Sequence, residues 1–195
     1  MHGFAILLLF LGLIAFAVFR FLHLRPAAKG LKPAAVRLSR IQTASWWIQV
    51  AIGFSFLVGV YALVSFLCGW PFFSEHQARM VVGPGHVYTS PAEMPDGLLA
   101  LALVKTGLAF AAMAVLFALF NLYWRGILFS ARNVLYIRFQ GYYLILSFIV
   151  DYQIQSRFHD MDLSTTPVFI GLIIIFLAWI MDEGRKIQEE QELTV

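Results

Sequence analysis

The sequence predicts an all-α membrane protein: a polytopic helical bundle of four spans plus an extra N-terminal apolar helix, N-terminus out and C-terminus in. Three observations carry that expectation. Of the 195 residues, 61% are hydrophobic and 13% charged, about half the charged share of a typical soluble domain. The apolar residues gather into runs near the ~20 residues that a spanning helix needs. The Lys and Arg residues fall almost wholly into alternate connecting stretches, and such loops stay cytoplasmic.

Residues 4–19 form the first apolar run, followed by Arg20, His23 and Arg25. A cleaved signal peptide carries its positive charge before the apolar core, whereas here the charge comes after it. Residues 1–24 are therefore expected to be an N-terminal transmembrane helix, with a helix lying in the membrane plane as the alternative because the run is short. Residues 25–45 read as a basic cytoplasmic linker. From Arg20 to Arg40 there are six basic residues and no acid, a retention signal or, on a sharper reading, a headgroup site for anionic lipid.

Residues 46–195 are expected to be a four-span membrane domain. Its first span runs over 46–69, with Trp46 and Trp47 at one end and Trp70 at the other as interfacial anchors. Ala51, Ser55 and Gly59 recur every four residues, and a strip of small side chains lets helix backbones approach closely in lipid. This face is expected to be a helix packing face, within the chain or against a second copy. An outer loop over 71–97 follows, where the apolar residues on both sides of Gly83-Pro84-Gly85 suggest a small hairpin. His76, His86 and the loop's acids lack tight ligand spacing, so no metal site is expected.

The next span, 98–120, contains Lys105, and its successor, 133–154, contains Asp151 near the outer end. Both fall in the outer half of the membrane. Either they pair, or each reaches separately for the outer headgroups. Ser164 or Thr165 is expected to cap the last span, 168–181, with Pro167 in its first turn. A cytoplasmic tail over 182–195 completes the chain. Of 14 Lys and Arg residues, 11 lie in inner segments and only Arg79 and Arg157 in outer loops, which sets the orientation.

Two stretches have sequence motifs. The inner turn over 124–141 holds Arg125, Arg132 and Arg138. There Ser130 can cap the helix beginning at Ala131 by accepting the N–H of Asn133, and Phe129 can staple onto Val134. Gly126, Phe129, Ser130, Asn133 and Gly141 make the turn motif, and Gly184, Gln188, Glu189, Glu190, Leu193, Thr194 and Val195 make a tail motif. The tail holds five acids against Arg185 and Lys186, which suggests a latch onto the basic turn or onto a partner.

On these residues the last four spans resemble the YoaS-like family of small bacterial integral membrane proteins, a family of unknown function. The turn follows that family's Gly, then Phe-Ser/Thr, Asn, and a later Gly opening the next span. The tail follows its Gly-x-x-x-Gln-Glu-Glu-x-Asp/Glu-Leu-Thr-Ile/Val ending. Arg132 stands where the family often has an acid, and residues 4–19 have no counterpart in its four-span layout. The resemblance implies a bacterial inner-membrane location and, as a partner, a small cytoplasmic helix-turn-helix regulator; it implies no catalytic residues.

The functional expectation is a non-enzymatic integral membrane protein that binds or regulates a partner through its cytoplasmic turn and acidic tail. Membrane lipid and further copies of the chain are the other expected partners, with no direct nucleic-acid contact and no cofactor. The alternative is a small transporter or channel subunit acting as an oligomer, for which Lys105, Gln49, Asn121 and Gln140 are the polar groups within spans. No histidine lies well inside the last four spans, which disfavours an intramembrane hydrolase. Cys68 is the single cysteine, so no disulfide forms within the chain.

Overall fold

The computed structural model describes residues 33–69, 71–72, 76–77, 80–81, 87–95, 97–158 and 164–193; the first apolar run, 4–19, lies outside them. Four long helices dominate: α1 (Pro33–Cys68), α2 (Leu98–Trp124), α3 (Ala131–Phe158) and α4 (Thr166–Leu193). Each is long and apolar enough to cross a membrane. At about 1.5 Å per residue, the 27 residues of α2 reach roughly 40 Å, more than a hydrocarbon core of about 30 Å. Every helix therefore projects beyond the apolar layer.

Helices α2 and α3 extend a few residues past the expected spans, to Trp124 and Phe158, and two boundaries differ more. Helix α1 starts at Pro33, so the basic stretch from that residue onward is helix rather than linker. Pro33 fits a first helical turn, where its missing N–H leaves no bond unmade. The tail likewise continues α4 to Leu193. Arg185 there forms ion pairs with Asp182 at 3.1 Å and Glu189 at 2.5 Å, and Lys186 pairs with Glu183 at 3.2 Å. Pairs at i,i+3 and i,i+4 support a helix by a few tenths of a kcal/mol each. Asp182, Glu183 and Glu189 are thus paired along their own helix, which continues to Leu193 instead of folding back onto the turn.

Each helix packs chiefly on its sequence neighbour, α1 on α2, α2 on α3 and α3 on α4. The chain forms a row, and most side chains of the spans face outward. At the end of the row nearest residues 71–97, Phe66 of α1, Leu98 and Ala102 of α2, and Val150 and Ile154 of α3 form a buried cluster, closed by Met94. That connection contains two antiparallel two-residue ladders, β1 (Pro71–Phe72) with β2 (His76–Gln77), and β3 (Met80–Val81) with β4 (Val87–Tyr88). The second is the hairpin expected around Gly83-Pro84-Gly85.

Within the chain, the expected packing face on α1 is only partly used. Ala51 and Ser55 are exposed, while a Cβ on Gly59 would lie 2.9 Å from Phe110 of α2. A four-residue repeat advances 400° where a helix turns 360°, so the strip winds around α1. It meets the contact seam only at Gly59. The seam itself runs through Ser45, Gln49, Phe56 and Gly59, with the Phe56 ring packed at a tilt on Phe110 at a ring-centroid distance of 5.1 Å.

Helices α3 and α4 approach most closely. A Cβ on Gly141 would lie 2.6 Å from Ile175 Cγ1 and 2.7 Å from the Gly171 carbonyl oxygen; a Cβ on Gly171 would lie 2.7 Å from the Gly141 carbonyl. Two facing glycines remove the side chains that otherwise hold helix backbones apart. Gly141 is therefore a crossing residue about three turns into α3, not a helix-opening residue of the turn.

Candidate functional site

The α2–α3 turn is a closed backbone unit. Gly126 has φ +81°, a left-handed conformation that glycine adopts without a Cβ penalty. The Gly126 N–H donates to Tyr123 O at 3.0 Å and the Ile127 N–H to Leu122 O at 3.0 Å, the paired bonds of a Schellman C-cap. Four residues later, Ser130 caps α3. Its Oγ accepts the Asn133 N–H at 3.3 Å, alongside its own carbonyl at 3.0 Å.

Asn133 is fully buried and closes the turn. Its Nδ2 donates to the carbonyls of Ile127 at 2.9 Å and Leu128 at 2.8 Å. Those carbonyls sit between two helices and have no ladder partner, so the side chain replaces a missing backbone donor. Phe129 is 65% exposed, so it adds little cover to Val134 and the expected staple contributes little. Instead Phe129 stands out with Trp124, 47% exposed, and Ile127, 42% exposed. Arg125 and Arg132 are exposed beside them. The turn thus holds an apolar tip with cationic flanks on a fixed backbone.

At the other end of the row, Lys105 Nζ lies 2.5 Å from Asp151 Oδ1. Each residue is seven positions from the nearer end of its helix, roughly 10 Å at 1.5 Å per residue. The Lys105 side chain is 39% exposed and that of Asp151 21%. The contact is an ion pair without an aligned hydrogen bond on Oδ1. Nearer the middle of the spans, Gln140 Nε2 donates to Ala112 O at 2.8 Å, tying α3 to α2. At the start of α4 the Thr166 N–H donates to the side-chain Oγ of Ser164 at 3.3 Å, whereas Thr165 accepts the Val168 N–H through its backbone carbonyl at 3.1 Å.

Among the described residues, the tail motif and the turn motif do not line one site, although Arg138 of the turn segment lies against Asp182 and Glu183 at the start of the tail. Gly184 has open space around it, Glu189 is committed to Arg185, and Thr194 and Val195 lie outside the described residues. The arrangement brings together a different set, which the motifs did not single out. Arg138 of α3 and Trp179, Ile180, Asp182, Glu183 and Lys186 of α4 line a groove of about 450 Å³. Its sequence signal was the spacing Gly171, Ile175, Ala178 and Asp182, one face of a helix at steps of four, three and four. In an otherwise apolar run, nothing marked that face above its neighbours.

No family model, curated protein or solved structure matches this chain.

Proposed function

We propose that this is a non-enzymatic, multi-pass protein of a bacterial inner membrane that docks or regulates a cytoplasmic partner. The observation that carries the reading is the exposed tip of Trp124, Ile127 and Phe129 with Arg125 and Arg132, on a turn locked by Gly126, Ser130 and Asn133. Trp and Arg are enriched at binding hot spots, and Phe at interfaces generally. A fixed backbone lowers the ordering cost of association. The positive-inside bias puts this end in the cytoplasm. Beyond Trp179, α4 supplies a second element, a charged helix that includes Ile187, 50% exposed.

The resemblance to the YoaS-like family suggests a small helix-turn-helix regulator as the first partner to test. The test is co-purification of the intact chain from its membrane, followed by quantitative comparison with a Phe129→Ser/Ile127→Ser variant. The reading expects one soluble protein to be retained by the native chain and lost from the variant at equal membrane level. The same set of proteins on both would overturn it.

The Lys105–Asp151 pair favours a second reading, a small transporter or channel subunit assembled from several copies. Ionisable groups inside spans mark transport paths when they face an aqueous cavity. Liposome flux that depends on both residues would move the assignment to this class.

A further inference from the structure

The α3–α4 groove is a second site, independent of partner docking and resting only on the membrane placement. Arg138 is the seventh residue after Ala131, so it lies roughly 10 Å along α3 from the turn. Trp179 is 60% exposed beside it, and tryptophan prefers the headgroup boundary of a bilayer. The groove therefore sits at the depth of lipid phosphates.

Its charges are unevenly satisfied. Asp182 is engaged by Arg185 and Lys186, and Glu183 by Lys186. Among the described residues, Arg138 has no carboxylate partner, and its Nε is shielded from solvent without an acceptor. A guanidinium donor held away from water requires an acceptor, and a phosphate oxygen is its best geometric match. Lys186 adds a second cation on the same groove. Glu183, 67% exposed on its side chain and paired with Lys186 at 3.2 Å, supplies a carboxylate that a second ammonium can share.

We propose that this groove binds the headgroup of a zwitterionic phospholipid bearing a primary amine, a phosphoethanolamine. The phosphate lies on Arg138 with Lys186 beside it, the ammonium points at Glu183, and Trp179 covers the glycerol edge. A phosphocholine offers the same phosphate but no N–H donors for Glu183. A phosphoglycerol offers no cation at all.

Native mass spectrometry of the intact chain, released from nanodiscs of equal parts phosphatidylethanolamine, phosphatidylcholine and phosphatidylglycerol, tests the assignment. The native chain is expected to retain phosphatidylethanolamine about tenfold over phosphatidylcholine, corresponding to about 1.4 kcal/mol. Arg138→Gln should lose retention of all three, and Glu183→Gln should bring the ethanolamine and choline lipids level. Helical content and thermal stability identify a misfolded Arg138→Gln. In that case Arg138→Lys, which keeps the charge but loses the guanidinium fork, should reduce retention about fivefold. Equal retention of the two zwitterionic lipids by the native chain would overturn the proposal, as would an Arg138 variant of native stability that retains lipid normally. Binding of soluble glycerophosphoethanolamine as tight as the lipid's would overturn the membrane source and leave a free phosphate ester as ligand.

Discussion

Replacing Gly141 with alanine tests the close crossing that shapes both α4 and the groove beside it. The added methyl would meet Ile175 Cγ1 at 2.6 Å, Gly171 O at 2.7 Å and Ile175 N at 3.2 Å. Favourable carbon contacts lie near 3.5–4.0 Å, so α3 and α4 must part by about 1 Å. Two of those three atoms belong to the backbone and cannot rotate aside. Overpacking typically costs about 1–3 kcal/mol, and the lack of a rotamer escape places Gly141→Ala at the upper end, about 2–3 kcal/mol. Gly107→Ala is the matched control, since no heavy atom lies within 4 Å of its Cβ position. There the gain in helix propensity should stabilise by about 0.5 kcal/mol. Unfolding of the purified chain by SDS in mixed micelles, followed by circular dichroism, measures both. If the two variants differ by less than about 0.5 kcal/mol, the glycine-on-glycine crossing is not the contact that holds α3 to α4.

Other consequences follow from single contacts. A double-mutant cycle on Lys105→Gln and Asp151→Asn should give a coupling of about 1–3 kcal/mol, between exposed pairs and fully buried ones, because both groups are half-shielded; coupling below about 0.3 kcal/mol would leave two separate snorkelling side chains. Asn133→Ala strands the Ile127 and Leu128 carbonyls and should destabilise by about 1–3 kcal/mol, whereas a value near zero would mean that water or a neighbour replaces the amide. Glu93 accepts from the Thr89 hydroxyl and then from the Thr89 N–H, which lowers its pKa below the usual carboxylate range. A depressed folded-state pKa stabilises above the unfolded value and is lost as pH falls through the folded one. The Thr89 amide resonance should therefore titrate with a midpoint below that of a free glutamate and stop titrating in Glu93→Gln; an unshifted midpoint would contradict the contact.

Much of the architecture was legible in the sequence because lipid imposes few choices. Backbone groups in a bilayer must bond internally, so each long apolar run becomes a helix, and turn chemistry marks where it stops. Gly126, Ser130, Asn133 and Ser164 act as those residue types suggest. The hairpin around Gly83-Pro84-Gly85 followed from the same punctuation. Helix ends were less legible, since α1 and α4 run into charged stretches that an apolar count does not reach; in α4 intrahelical ion pairs support the extension, and in α1 Pro33 fits the first turn.

Helix faces were least legible. In a run where nearly every residue is apolar, Ala51 and Ser55 look as suitable for packing as Gly141 and Gly171. Only the rotation of one helix against another distinguishes them. Arg138 illustrates the same limit: it reads as one of three turn arginines, yet two turns of helix carry it away from Arg125 and Arg132 and onto the α4 groove. The charge pattern locates a cation within a segment, but not the face on which it emerges.

The central claim is that the turn and the tail share one cytoplasmic surface, opposite the residue 71–97 connection. Cys68, exposed at the end of α1, is a built-in reporter of the opposite side. A membrane-impermeant maleimide on intact spheroplasts should label the native chain at Cys68, and should label Cys68→Ser/Phe129→Cys and Cys68→Ser/Glu190→Cys only after permeabilisation. Labelling of Phe129→Cys or Glu190→Cys from outside, with Cys68 protected, would contradict the account.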